Sequence, residues 1–545
     1  MTVALPLTAA AGRRLEAVLV GAALVPAVPL LAGGIAGYDV GTVRASVMLV
    51  ELAAAGLAGR GTLASAWGRL PGWARLIAVV WAGAMAVATM TAVHRAPAVL
   101  RTAEWGAHLA FGAAAWAWAS REAGRPQRLA AWAAGGALAV TLYAVGAWCA
   151  AAWGGATVEG IAEPLAHIRY VGLYALSALM LILAAWPREA AGRSAWTAAW
   201  MLGWAALCWS GGRAPLGAAA VAVAVWAAVA RPGARSLAAL GGSALAGASL
   251  SMALPVDPRD MGLGRFFRTA APSPDNFTAD RDLLWQHLFD AWAGRPWLGL
   301  GPDGPAFALA DHTHAHNTVV QALAEWGTVG ALGFLLGVAA ISLSLAVASW
   351  RRRGTPGGSV VQGASAAWLA ALLCGMLDGV FYGAVTLAWA VVAVAAAAAV
   401  VAPAAPRPVS RRPALAQGVA LAALAAVAGV HLGASAARFG AGSPTPDALR
   451  VRLAFATAST YRQTEILWWG KDWAREDPAA ALRAARWGQQ HSRTPWAFLA
   501  LEGDVLAAAG DSARAVELWR RSAESHTASF PAAVVQARHR ATARP

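Results

Sequence analysis

Apolar runs of about 20 residues, long enough to cross a hydrocarbon core roughly 30 Å thick as a helix, recur throughout this 545-residue chain. Thirteen are predicted as spans: 15–36, 42–59, 75–93, 105–120, 129–153, 169–186, 195–211, 214–230, 236–254, 326–350, 361–377, 380–402 and 414–436. The run 42–59 is interrupted by Arg44 and Glu51, and 105–120 is short. In lipid every backbone polar group needs an internal partner, so runs of this length must be helical. The predicted fold class is all-α, a polytopic helical membrane protein of about 12–13 spans. Composition agrees, with 58% hydrophobic and only 13% charged residues. That leaves too little polar surface to enclose a soluble core, and 28 Trp exclude a disordered chain. A net charge of +15 would point to nucleic acid in a soluble chain. In a membrane chain it marks cytoplasmic loops, so membrane lipids are expected as partners and nucleic acid is not. Cys149, Cys208 and Cys374 all fall in apolar runs, with neither a disulfide framework nor metal-ligand spacing.

The positive-inside rule orients the spans. With the N-terminus placed in the cytoplasm, eighteen arginines collect on the inner side. The short outer connections hold five, Arg44, Arg95, Arg101, Arg169 and Arg213. No signal-peptide cleavage site is expected near the N-terminus. The predicted division is 1–254 for the first group of spans, 255–316 for a long outer loop, 317–438 for the remaining spans and 439–545 for an outer C-terminal domain. That last part reads as helical. Asp477-Pro478 starts one helix, Trp496, Leu499, Leu501 and Leu506 mark the next, and Gly510-Asp511 separates it from a third bearing Ala515, Leu518 and Trp519. The segment Leu506 to Trp519 is similar to a tetratricopeptide helix–turn–helix, and a generic helical cap is the other reading.

The outer loop is the densest polar stretch. Arg281-Asp-Leu-Leu-Trp285 leads to Arg295-Pro-Trp-Leu-Gly-Leu-Gly301-Pro-Asp303, then to Asp311-His-Thr-His-Ala-His316-Asn317. Asn317, Gln321 and Glu325 are four apart, so a helix puts them on one face. Glu325 so near hydrocarbon requires a cavity or a polar partner. His312, His314 and His316 have three readings: an imidazole metal site, solvated loop histidines, or a general base at a membrane-surface active site. Arg213, in Ser210-Gly-Gly-Arg213-Ala-Pro215, and Arg169, in His167-Ile-Arg169, stand at outer helix starts, where free N–H groups favour anions. Either could be an interfacial arginine reaching for headgroups. Together with Arg281 and Arg295 they suit a diphosphate, which guanidinium binds bidentately.

The run His314-Ala-His316-Asn317-Thr-Val-Val-Gln321-Ala-Leu-Ala-Glu325-Trp-Gly327-Thr-Val-Gly330 resembles the signature of the O-antigen ligase and polymerase superfamily. Arg281-x-x-x-Trp285 with Pro296-Trp-Leu-Gly299-Leu-Gly301, Ser210-Gly-Gly-Arg213 and His167-Ile-Arg169 resemble further motifs of that superfamily in the same order. The likeness covers roughly residues 160–345; one departure is that Gly211 and Gly212 separate a usually adjacent Ser-Arg pair. The resemblance implies a glycosyltransferase of the lipid-linked-sugar type in a bacterial inner membrane. It would move a glycan from an undecaprenyl diphosphate carrier to an acceptor hydroxyl on the periplasmic face, with no metal or other cofactor. By the same resemblance His316 is the base, Arg213 and Arg281 hold the diphosphate, and Arg169 assists. His314 and Asn317 orient His316 or the sugar, with Arg295 and Glu325 as further substrate-binding residues.

Within this class the expected reading is an O-antigen ligase with a lipid A–core acceptor. An O-antigen polymerase or a protein O-oligosaccharyltransferase is the alternative, the latter favoured by the C-terminal helices. A transporter or flippase of lipid-linked sugars is the more distant reading. It fits less well because internal repeats are absent, and the polar residues concentrate at the outer surface rather than mid-span, where Glu51 is the clearest charge.

Overall fold

The computed structural model describes residues 40–58, 62–154, 168–186, 193–256, 261–265, 281–308, 314–403, 411–439 and most of 467–525. Among these residues there are helices and no strands. In chain order they are α1 (Val40–Ala58), α2 (Thr62–Arg69), α3 (Gly72–Thr91), α4 (Arg95–Ala119), α5 (Arg125–Trp153), α6 (Ile168–Ala185), α7 (Arg193–Trp209), α8 (Arg213–Ala230) and α9 (Ala234–Ser251). After α10 (Arg281–Ala293) and α11 (Pro305–Ala308), in the loop expected on the outer side, come α12 (Thr318–Arg351), α13 (Gly358–Gly375), α14 (Ala384–Val401) and α15 (Arg411–Phe439). The chain closes with α16 (Pro478–His491), α17 (Pro495–Ala508) and α18 (Ser512–Ser525).

Twelve of the thirteen predicted spans coincide with described helices, and the first, 15–36, lies outside the described residues. Among the described residues seven helices are long and apolar enough to cross a membrane: α3, α5, α8, α12, α13, α14 and α15. The protein is therefore a multi-pass membrane protein. Its core is built of small residues that let backbones approach, with Ala133, Ala134, Ala175, Ala364 and Ala396 fully buried among Trp200, Trp209 and Trp389. Among the closely packed pairs are α5 with α6, α7 with α9, α6 with α13, α3 with α12, α1 with α4, α8 with α13 and α4 with α14. Gly363 at the start of α13 lies against Ala184 at the end of α6, so these two helices run antiparallel.

That antiparallel pairing sorts the helix ends. The starts of α6 and α8 share one end of the bundle with the end of α13. The start of α12 joins them, because Thr318 Oγ1 donates to the Gly375 carbonyl at 2.8 Å. The opposite end holds Arg69, whose guanidinium reaches the Pro403 carbonyl, and Arg353, close to Arg231. Two expectations need correction. Arg44 and Arg101, assigned above to short outer connections, are buried within α1 and α4. The span expected at 105–120 is α4, ten residues longer at its start. A hydropathy window rejects an Arg or Glu one at a time, whereas here each finds a partner inside the bundle.

Of the C-terminal helices, α16 and α17 pack on one another around Phe498, Leu501, Val505, Ala481 and Trp473, and α18 packs on α17. Asp477 caps α16, accepting from Ala480 N at 2.9 Å, and α17 ends before Gly510. Each boundary falls where the sequence predicts it.

Candidate active site

Three segments build the site at the shared end of the bundle. The first is the start of α12. Asn317 Oδ1 accepts from Val319 N and Val320 N, at 2.9 and 3.1 Å, and so caps the helix. Asn317 Nδ2 also donates to the Met376 carbonyl at 3.1 Å, tying this cap to the end of α13. Just before the cap, His316 sits at φ +50°, left-handed backbone that costs a non-glycine residue energy. Such strain collects at functional positions. Here it is held by the His316 N–H, which donates to His314 Nδ1 at 3.2 Å.

The second segment is the turn between α13 and α14. Asp378 Oδ1 lies 3.3 Å from His316 Nδ1 and accepts from Gly379 N at 2.8 Å. Burial raises the Asp378 pKa. The hydrogen bond from His316, the His316 and His314 charges and the Gly379 N–H outweigh that and hold it below its ordinary value. Gly379 has a steric reason as well, since a Cβ there would stand 2.7 Å from the His314 ring. The His314 ring lies 4.1 Å from that of His316 and 5.0 Å from that of Tyr382, centroid to centroid.

The third segment is the outer loop, which enters a break in α12. Gly327 has φ +64° and ψ −172°, a conformation reserved for glycine, and the helix is interrupted there. The loop supplies the missing partners. Leu300 N and Gly301 N donate to the carbonyls of Ala324 and Glu325, and Thr328 N donates to that of Pro296. This explains why Pro296-Trp-Leu-Gly299-Leu-Gly301 and Glu325-Trp-Gly327-Thr328 occur together. One fills the gap in the other, satisfying backbone that lipid could not. The break leaves Glu325 buried, accepting from Gln321 Nε2 at 2.6 Å and Asp303 N at 3.3 Å. Gln321 Oε1 in turn accepts from Ala315 N, between the two histidines.

A cleft open to solvent lies among these segments, walled by His314, His316, Gln321, Glu325, Asp378 and Tyr382. The His316 side chain keeps 18% of its surface exposed, so one edge of the imidazole faces this space. The loop's α10 packs on the start of α12 through Leu284 and Leu288. Trp285 Nε1 donates to the Ala315 carbonyl at 2.8 Å, and Arg281 stands one turn before Trp285 on the same face. Its charge reaches Cys374 at the end of α13.

The remaining predicted residues divide. Arg213 is exposed as the first residue of α8. The turn before it is packed by Gly172 of α6, where a Cβ would meet Ser210 Oγ at 2.8 Å. Arg169 is in the first turn of that same α6, and its side chain is outside the described set. Arg295 lies away from the cleft, donating to the Thr91 carbonyl at the end of α3. Asp311, His312 and His167 are outside the described residues. Sequence reasoning missed Asp378, hidden in a short turn between spans, and Arg265, which donates to the Gly211 carbonyl beside Arg213. No motif marked either. His314, His316 and Asp378 also form a possible metal-ligand group, their donor atoms lying within 4.8 Å of one another. Within that group His316 Nδ1 and Asp378 Oδ1 already face each other at 3.3 Å.

Residues 196–335 match the family described as O-antigen ligase. That segment is similar to the O-antigen ligase and polymerase superfamily. The match supports glycan transfer of the ligase and polymerase type, whose partners are in general a lipid-linked glycan and an acceptor. The matched segment contains Arg213, Arg281, His316 and the α12 break, whereas Arg169 and Asp378 fall outside it. No curated protein matches the chain.

Proposed function

We propose that this O-antigen ligase homologue transfers a glycan from undecaprenyl diphosphate to an acceptor hydroxyl at the periplasmic face of the inner membrane. The observation that carries the reading is the partly exposed His316, held against Asp378 in the wall of the cleft. Asp378 accepts from Nδ1–H, which leaves Nε2 as the basic nitrogen facing the substrate. His316 Nε2 takes the acceptor O–H proton while that oxygen forms a bond to the anomeric carbon. The bond from this carbon to the diphosphate oxygen breaks, and its electron pair leaves with undecaprenyl diphosphate. Arg213 and Arg281, with Arg169 assisting, hold the diphosphate and balance the charge that develops there. The amino-terminal ends of α8 and α12 face the same region and favour an anion. Asn317 fixes the helix start that presents His316, and Arg295 steadies the outer loop from its far side. No metal takes part in this scheme.

The proposed acceptor is lipid A–core, which makes the chain an O-antigen ligase. The packed C-terminal helices favour a second reading, a protein O-oligosaccharyltransferase in which a tetratricopeptide-like domain at 439–545 receives the acceptor protein. The experiment is complementation of Gram-negative strains lacking either their O-antigen ligase or their polymerase, with lipopolysaccharide ladders as readout. A ladder restored in the ligase-null strain and lost with His316→Ala is the expected result. Rescue confined to the polymerase-null strain moves the reading to chain extension. Equal activity of parent and His316→Ala would sink the mechanism.

A further inference from the structure

Beside the cleft, and reaching its wall through Arg101, lies a cluster of charge that the reaction scheme does not use. Arg44, Glu51, Arg101, Glu104, His108 and Asp303 are all essentially buried within the bundle. Arg44 Nη1 donates to Asp303 Oδ2 at 2.7 Å, and its Nε lies 3.3 Å from Glu104 Oε2. Arg101 Nη1 reaches the same Glu104 oxygen at 2.5 Å. Further in, His108 joins Glu51 Oε1 at 2.8 Å through Nδ1, and Nε2 is 3.7 Å from Glu104 Oε1. Charges at this depth are expensive, and well-packed apolar side chains of similar size serve stability as well or better. Their retention calls for another role.

The outward ends of the two guanidinium groups give it. Arg101 Nη2 donates to the Phe381 carbonyl at 2.8 Å and Nη1 to the Tyr382 carbonyl at 3.3 Å, while Arg44 Nη2 reaches the same Tyr382 carbonyl at 3.4 Å. Both cations also sit over the Tyr382 ring, at 4.5 and 4.9 Å from its centroid. Two connections then run to His316. One is the backbone of the 378–382 turn, which carries Asp378. The other is the ring series Tyr382, His314, His316. Asp303 adds a third attachment, since its N–H donates to Glu325, the partner of Gln321.

We propose that Arg101 and Arg44 are positioning residues: clasped by Glu104, they hold the 378–382 turn so that Asp378 and the Tyr382–His314 pair fix the His316 imidazole. The proposal rests on His316 and Asp378 being the reacting pair, and its test must separate the two ideas. The first readout needs no glycan. His316 is labelled with diethyl pyrocarbonate in the full-length protein in detergent micelles, and the modification rate at that residue is followed by peptide mass spectrometry. Asp378→Asn changes this rate at least threefold in the parent. In the Arg101→Gln background the same substitution changes it less than 1.5-fold, because the turn no longer presents Asp378. Arg101→Lys, able to donate to one carbonyl, restores part of the coupling. An Arg281→Ala background, which leaves the turn intact, keeps the whole effect.

The second readout is glycan transfer in the complemented strain. There Arg101→Gln and Asp378→Asn lower the rate, and the double variant loses no more than the worse single one. If Asp378→Asn has its full effect on His316 labelling in the Arg101→Gln background, the positioning role is wrong, whatever happens to transfer. If the coupling is seen but no strain is complemented, the glycan-transfer reading fails while the positioning stands. Should Arg101→Gln not accumulate, Glu104→Gln, which loosens the same clasp without removing a cation, replaces it with the same expected loss of coupling.

Discussion

Gly327→Ala offers a demanding check of how the outer loop and α12 are joined. A Cβ at this position would stand 2.3 Å from the Trp297 carbonyl carbon and oxygen and 2.4 Å from Leu298 N, all backbone atoms. The loop would have to leave the break. Its backbone hydrogen bonds go with it: Leu300 N to Ala324 O at 2.8 Å, Gly301 N to Glu325 O at 3.0 Å and Thr328 N to Pro296 O at 2.7 Å. The side-chain bond from Thr328 Oγ1 to Pro296 O at 2.8 Å is lost as well. At about 1 kcal/mol net for each bond, with roughly 1–3 kcal/mol for alanine in a glycine-only conformation, the substitution costs on the order of 5 kcal/mol. That is beyond what most single substitutions cost.

The cost is local, so the assay should be local. Hydrogen exchange of the purified protein, read on peptides covering 296–304 and 321–330, follows the opening of this junction. A loss of that size raises exchange of the Leu300, Gly301 and Thr328 amides by on the order of a thousandfold, at about tenfold per 1.4 kcal/mol. The control is Gly337→Ala in the same helix, where a Cβ meets nothing within 4 Å. There the expected change is about 1 kcal/mol or less, in the stabilising direction. Equal exchange at 296–304 in the two variants would refute the account of the broken helix, and with it the reason for two of the sequence motifs.

Three more outcomes follow from the geometry. The lowered pKa of Asp378 means that its charge contributes stability above the ordinary aspartate value of 3.8, a contribution lost as the pH falls below it; acid unfolding of parent and Asp378→Asn should therefore diverge above that pH and converge below it. Chelation with EDTA should leave transfer unchanged, and a loss restored by added zinc would reassign His314, His316 and Asp378 as metal ligands. Gly488→Ala puts a Cβ 1.9 Å from the Phe498 ring and should unpack α16 from α17, detected as protease cleavage within 478–525; unchanged cleavage would show that the C-terminal helices tolerate this overpacking.

How far the sequence discloses the molecule depends on the distance over which each feature is determined. Asn317, Gln321 and Glu325 fall on one face because of their spacing alone, and the structure joins the latter two at 2.6 Å. Asp477-Pro478 and Gly510-Asp511 mark the C-terminal helix boundaries through local backbone preference. The spans are legible because lipid tests each stretch against one criterion. Asp378 is not, since its partner lies 62 positions away and a lone acid between two spans reads as solvated. Arg44 and Asp303, 259 positions apart, carry no pairing signal in a single sequence.

The same contrast bears on what an arginine means in such a chain. The inside rule treats every arginine as a vote on orientation, and Arg44 and Arg101 were counted as two votes against the majority. Buried on Glu104, Asp303 and the carbonyls of the 381–382 turn, they are solvated by the protein and no longer report on either membrane surface. Removing them leaves Arg95, Arg169 and Arg213 as the expected outer set, and the last two stand at helix starts at the same end of the bundle as the cleft. An arginine on the disfavoured side of a membrane protein is thus either paired inside the bundle or available to an anion. The fold identifies Arg44 and Arg101 as the first class, and in the proposed reaction the diphosphate draws on the second.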